Sequence, residues 1–328
     1  MAQILPLMTS LGHVAQARTL AHFGISRGEL LRALGDGSLM RVRRGWFATT
    51  HADSDQLRTV SLGGRIGCVS ALRRWGVWSG SGDALHVQLA PNASRLRHSS
   101  GAAIRTDRPG VWHPLAREKL KQGRALRLAA AGTPVLHWSG LRNVASGHAL
   151  EIGSVRSPDW IVPPALALAQ ALLCQNEEHA LACLDSSIQT HLLELPAVQE
   201  LIAALPQRLH GLVEEITPQA ESGWETIAIR RVRRGGYRVR PQVEIPGVGR
   251  YDGLIEECVG LEVNGLEFHS GRDEVLRDTG RVLGAQIWGL PTISITPFHI
   301  QNDWPATWQA IVRTVERERA LISARVPA

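Results

Sequence analysis

Near the amino terminus, apolar Val14, Ala17, Leu20, Ala21 and Phe23 recur at helical spacing and Gly24 follows, which predicts a helix ending there. Ser26 is placed to cap a second helix, whose Leu30, Leu31 and Leu34 face inward and which Gly35 and Gly37 close. The run Leu39 to Ala48 reads as a two-stranded hairpin turning at Arg44-Gly45. Helix, turn, helix and basic hairpin is the order of a winged helix-turn-helix. In such a module the second helix enters the major groove and the arginines of the wing lie along the phosphates. Arg27, Arg32, Arg41, Arg43 and Arg44 are the residues offered to nucleic acid here. A small helical domain with a basic surface has the same pattern.

Farther along, Ser70 to Trp78 predicts the end of a helix and Leu85 to Leu89 a strand, with Arg95, Arg97, Arg105 and Arg108 among turn residues. No chemistry is visible in this mixed α/β extension. From Pro163 to Leu209 leucines and alanines recur at 3.6-residue spacing with acidic residues between them, which predicts a helical connector. After Glu221 a helix carries Ile227, Ala228 and Val232 on one face and stops at Gly235-Gly236. Strand-like pieces follow at Tyr237 to Ile245, Gly249 to Ile255 and Val259 to Asn264. A helix from about Glu274 to Gln286, a β-branched strand from Pro291 to Thr296 and a helix from Trp304 to Ala320 complete the chain. The order αβββαβα is that of the restriction-endonuclease core. The expected architecture is an α/β multidomain chain: a winged helix-turn-helix over 1–55, an α/β extension over 56–160, a helical connector over 161–220 and an endonuclease-like core over 221–328.

Charge changes the picture when it is divided along the 328 residues. Residues 1–150 carry 20 Lys/Arg against 7 Asp/Glu, residues 151–220 carry 2 against 9, and residues 221–328 carry 14 against 14, within a net charge of +6. The positive excess sits where the helix-turn-helix pattern lies, and it suits the neutralisation of phosphates as well as it suits a solvated basic surface. The strongest apolar stretch, near Pro163 to Leu173, is too short to span a bilayer. Met1 to Gly12 has neither a basic n-region nor a small-residue cleavage site. These features predict a cytoplasmic protein without a membrane partner. Cys68, Cys174, Cys183 and Cys258 are scattered without a CxxC or a Cys/His cluster, which predicts buried thiols rather than a zinc site or a disulfide framework.

The carboxylates carry the candidate chemistry. Asp252 and Glu262 fall on consecutive predicted strands, ten residues apart across a short hairpin, so that their side chains can converge on one divalent ion. Phosphodiester hydrolysis needs charge on the phosphate neutralised and a water made nucleophilic, and Mg²⁺ (or Mn²⁺) held by carboxylates and waters does both. The carbonyl of Val263 is a candidate further oxygen ligand, and His269, after Phe268, a candidate general acid or base or a satisfied core residue. A carboxylate in the apolar run Val259-Gly-Leu-Glu-Val is costly unless paired or metal-bound, although edge charges remain the plainer reading. Glu225, three residues after Ser222, also fits a capping box. Arg230 and Arg234 are candidates for phosphate contact or a solvated helix face, and Arg281 for phosphate or a carboxylate.

Two resemblances sharpen these readings. Gly24-Ile25-Ser26, Leu30 to Leu34 and Gly37 to Phe47 resemble the winged-helix domain at the front of AbiEi-type antitoxins, which implies DNA binding, often autoregulatory. Ser222-x-x-Glu225, Pro241-Gln242-Val243, Gly249-Arg250-Tyr251-Asp252, Leu261-Glu262-Val263-Asn264-Gly265-x-x-x-His269 and Asp278-x-x-Arg281 resemble the bacterial domain family related to very-short-patch repair endonucleases. That second resemblance implies the PD-(D/E)XK fold, Asp252 and Glu262 as metal ligands, Glu225 as an auxiliary carboxylate and His269 as a catalytic histidine. The chain departs from the pattern at Asn264, where nucleases usually have Lys, this subfamily commonly Asp and the repair enzymes His. Asn orients a water or ligates through its carbonyl but carries no proton as Lys or His does. Two functions follow: a metal-dependent endonuclease acting on double-stranded DNA, nicking one strand per catalytic centre, and a non-catalytic DNA-binding regulator of antitoxin type. A homodimer on palindromic DNA suits either.

Overall fold

The computed structural model describes residues 4–80, 82, 84–90, 93, 125–127, 134–138, 157–265, 283–284 and 286–325, with backbone alone at 125–127. The chain is mixed α/β, with helices and three small sheets and no barrel among the described residues. It divides into two compact units, Met1–Asn176 with Leu192–His210, and Glu177–His191 with Gly211–Ala328. No described helix is long and apolar enough to cross a membrane.

The first unit opens with α1 (Ile4–Ser10), β1 (Val14–Gln16), α2 (Ala17–His22), α3 (Arg27–Gly35), β2 (Met40–Arg43) and β3 (Trp46–Ala48). The helix expected from Val14 is divided. Val14 to Gln16 pair antiparallel with Ala48 to Trp46, and the helix starts only at Ala17. Apolar spacing is equally satisfied by a short strand whose Val14 and Ala15 are buried, and the backbone pairing decides between them. The second helix starts as expected, with a capping box in which Ser26 and Glu29 each satisfy the other's backbone N–H. Leu31 differs from expectation: it is exposed, at 54 %. Leu30, Ala33 and Leu34 occupy the inward stripe against Leu20, Ile25 and Phe47, and Leu31 lies roughly 100° around the helix from Leu30. The hairpin turns at Gly45, whose φ of 79° needs glycine's freedom.

The rest of this unit comprises α4 (Ser54–Ser61), β4 (Arg65–Ile66), α5 (Cys68–Arg74), β5 (His86–Gln88), β6 (Ala125–Arg127), β7 (Val135–His137) and α6 (Pro164–Cys174). After α7 (Glu177–Gln189), which belongs to the second unit, α8 (Leu195–Ala203) completes it. The second sheet has the order β4-β5-β7-β6, with β5 and β7 parallel and the outer pairings antiparallel. Helix α6 is apolar nearly all round and is correspondingly buried, from Ala167 through Leu173 without a break.

In the second unit α7 is followed by α9 (Leu212–Glu215), α10 (Gly223–Arg234), β8 (Val239–Ile245), β9 (Gly249–Ile255), β10 (Val259–Val263), β11 (Thr292–Ile295), α11 (Pro297–Asn302) and α12 (Trp304–Arg325). Strands β8, β9 and β10 form an antiparallel meander, and β11 adds parallel to β10, giving the order β11-β10-β9-β8. Pro241 is tolerated because β8 is an edge strand. Helix α10 stops at Gly235-Gly236; the Trp308 ring packs on Gly235 where a Cβ would stand. The helix expected from 274 to 286 lies outside the described residues except at 283, 284 and 286.

Candidate functional site

In the second unit the strand registers build a row of polar side chains. Pairing of Pro241 with Gly253 and of Val243 with Tyr251 puts Gln242 across from Asp252. Pairing of Leu261 with Gly253 puts Glu262 next along, also across from Asp252, and Glu262 is in register with Ser294 on β11. Directly opposed residues share a sheet face, so the row Gln242, Asp252, Glu262, Ser294 crosses all four strands. The antiparallel ladder stops there: the N–H of Val263 donates to Asp252 Oδ2 at 2.7 Å. Asn264, two residues beyond Glu262, donates through Nδ2 to Ser294 Oγ at 2.6 Å.

Glu225, in the first turn of α10, meets this row. Its Oε2 accepts from Gln242 Nε2 at 2.9 Å and from the N–H of Glu221 at 2.8 Å. The capping box is therefore half realised: Ser222 Oγ accepts from the Glu225 N–H, but the Glu225 carboxylate turns to Glu221 and to the sheet. Burial, and then the charge of Asp252, push the Glu225 carboxyl up to about 7. Gln242 Oε1 is buried and has no hydrogen-bond partner among the described residues. The left-handed backbone of Gln242, φ 49°, is a strained conformation for a side-chain-bearing residue within a strand. Glu225, Gln242, Asp252, Glu262, Val263 and Asn264 are thus brought together, whereas His269, Asp278 and Arg281 lie outside the described residues.

Arg230 corrects the sequence reading. It is buried, 4 % exposed, with Nε 2.7 Å from Glu215 and Nη2 2.9 Å from Glu177. An arginine on the helix face that packs inward must bring counter-charges with it, and acidic residues of α7 and α9 supply them. Arg234 is exposed and shares the same two glutamates. The Arg230 guanidinium holds the Glu215 carboxyl down at about 2. In the first unit, Arg27, Arg32, Arg41, Arg43 and Arg44 are all exposed, and none makes a salt bridge among the described residues.

The cysteines are free, as expected, with Cys68, Cys183 and Cys258 buried and Cys174 half-buried, but two of them meet histidines in a cluster that the sequence did not show. Cys68, His86, His137 and Cys174 present ligand atoms that all lie within 4.8 Å of one another, and this group could hold a metal ion. It is the one such group of three or more His, Cys, Asp or Glu residues among the described residues. Cys68 begins α5, His86 begins β5, His137 ends β7 and Cys174 ends α6. His86 Nδ1 is 2.9 Å from His137 Nε2 and 3.9 Å from Cys174 Sγ. Hydrogen bonding from Cys68 draws the Cys174 thiol far below its usual range, and burial pulls His137 down. Cys183 and Cys258 are the buried thiols that were expected, and burial raises both, Cys183 to about 12. No local signal marks the cluster because its ligands come from four elements spread over residues 68 to 174, partly in the stretch where the sequence shows no chemistry.

Comparison with protein-family models and with curated proteins finds no match to this chain.

Proposed function

We propose that the chain is a DNA-binding, divalent-metal-dependent endonuclease that hydrolyses phosphodiester bonds in duplex DNA. The observation that carries this reading is the polar row Gln242, Asp252, Glu262, Ser294, lying across a three-strand meander with a parallel fourth strand and met by Glu225 from the preceding helix. Helix, meander and parallel strand is the connectivity of the PD-(D/E)XK core. The front of the chain supports delivery to DNA: helix, strand, two helices and a hairpin, with strand order β1-β3-β2, is the layout of a winged helix, and its five arginines are exposed.

The donor set fits a hard cation. Asp252, Glu262 and the carbonyl of Val263 offer oxygen alone, and the spare acceptor Oε1 of Gln242 adds to them. These residues would hold Mg²⁺ or Mn²⁺, which when bound supplies charge neutralisation at the phosphate and a more acidic water. The chain's own residues set that arrangement. Asp252 fixes the position of Val263 through the backbone bond, Glu225 fixes Gln242, and Ser294 fixes Asn264.

Asn264 favours a second reading, a non-catalytic DNA-binding regulator, because an amide in the place of the usual lysine cannot transfer a proton. Nicking of supercoiled plasmid with Mg²⁺ or Mn²⁺ separates the two. The endonuclease reading expects nicking by the wild type that Asp252→Ala and Glu262→Ala abolish while gel-shift binding of DNA survives. Equal trace nicking by all three proteins would establish the regulator.

A further inference from the structure

We infer that Cys68, His86, His137 and Cys174 form a structural Zn²⁺ site that clamps the β4-β5-β7-β6 sheet to helices α5 and α6. The inference stands independently of the phosphodiester reading, since it uses none of the same residues. Two sulfurs and two imidazole nitrogens are the donor set of tetrahedral zinc, and they disfavour Mg²⁺ and Ca²⁺, which take oxygen. Bond lengths of about 2.0–2.1 Å for Zn–N and 2.3 Å for Zn–S imply ligand-to-ligand edges of about 3.3–3.8 Å in a tetrahedron. The observed 2.9 Å between the two imidazole nitrogens and 3.9 Å from Cys174 Sγ to His86 Nδ1 bracket those edges, and every ligand atom lies within 4.8 Å of the others. One ion fits that span.

Four protein ligands fill a tetrahedral shell and leave no position for water or substrate, which is the arrangement of a structural rather than a hydrolytic zinc. Burial agrees: Cys68, His86 and His137 are at most 4 % exposed. Two imidazoles and two thiols are a poor filling for a core, but with the ion they become a neutral group. Each thiol releases its proton to solvent as its sulfur bonds to zinc, and the two thiolates balance the 2+ charge while both histidines bind uncharged. A supporting layer holds the ligands. The N–H of Cys68 donates to Gln170 Oε1 at 2.8 Å, Gln170 in turn donates to Gln88 Oε1, and the N–H of His86 donates to Ser70 Oγ at 2.9 Å. Gln170 thereby stabilises the left-handed backbone of Cys68, φ 52°, which aims that side chain into the cluster.

The test measures metal in the full chain, purified without chelator or metal-affinity resin. Mass spectrometry of the metal content should find one zinc per chain in the wild type and in the Cys183→Ser/Cys258→Ser control, and a loss to background in Cys68→Ser/Cys174→Ser. Because that variant can fail to fold, the wild type is also stripped and titrated with Co²⁺. Visible ligand-field bands of tetrahedral cobalt, with a near-ultraviolet thiolate band, are expected at one equivalent. Chelation should lower the melting temperature of the wild type and leave that of a folded cluster variant unchanged. Wild type that holds neither zinc nor tetrahedral Co²⁺, or a chain lighter by two hydrogens with Cys68 and Cys174 linked in a disulfide, would overturn the site.

Discussion

Asp252 Oδ2 accepts the backbone N–H of Val263 at 2.7 Å, so one candidate ligand's carboxylate positions the strand residue that carries another. Charge and acceptor capacity are separable in Asp252. Asp252→Asn keeps an oxygen for the Val263 N–H and loses the charge; it should unfold within about 1 kcal/mol of wild type while nicking falls about a hundred- to thousandfold. Asp252→Ala loses both and should cost a further 1–3 kcal/mol or so for the stranded N–H. Urea titration and plasmid nicking read the two effects. Wild-type nicking by Asp252→Asn would remove this residue from the chemistry.

The wing should act through charge. Arg41, Arg43 and Arg44 are exposed, so replacing all three with Ala in the full chain should weaken DNA binding. The slope of log K against log salt should flatten by about 0.9 for each phosphate that the variant no longer neutralises. Fluorescence anisotropy across a salt series measures this. An unchanged slope would place the duplex elsewhere.

Arg230 and Arg234 share Glu177 and Glu215 but differ in exposure, side chains being 3 % and 57 % accessible. Arg230→Ala removes a buried guanidinium with its hydrogen bonds and packing while Glu177 and Glu215 keep Arg234, and it should destabilise the second unit by about 1–3 kcal/mol. Arg234→Ala, in screened surroundings, should cost no more than about 1 kcal/mol. Equal effects in chemical denaturation would mean that the network does not stabilise through its buried member.

Asp185 sets a pH dependence. It is fully buried on α7, accepts from the Thr217 N–H at 2.8 Å and Thr226 Oγ1 at 2.9 Å, and burial raises its carboxyl from 3.8 to about 7 despite these bonds and nearby Arg233. Between those two values the folded chain holds a proton that the unfolded chain releases. Its contribution is therefore full below the unfolded value and is lost as pH rises through about 7, at up to about 1.4 kcal/mol per pH unit. Asp185→Asn should flatten that part of the stability-pH curve relative to wild type, with the raised Glu225 carboxyl common to both proteins. Parallel curves would show that Asp185 is ionised in the fold.

What the sequence determined by itself was local or periodic. The cap at Ser26, the turn at Gly45, the stop at Gly235-Gly236 and the strands around Asp252 and Glu262 are written within a few residues of where they act, because capping, turn conformation and strand alternation are near-neighbour effects. Tertiary structure decided the rest. Val14 to Gln16 are a strand only because Ala48 to Trp46 lie beside them, and Arg230 is buried only because Glu177 and Glu215 arrive from other helices. Gln242 and Ser294 join Asp252 and Glu262 through strand register, which a slip of one residue would turn to the other face. Cys68, His86, His137 and Cys174 converge from four elements, and no spacing rule links them. Their meeting depends on how two helices pack on two parallel strands, a choice made by the burial of apolar surface over the whole unit rather than by any stretch of chain that contains a ligand.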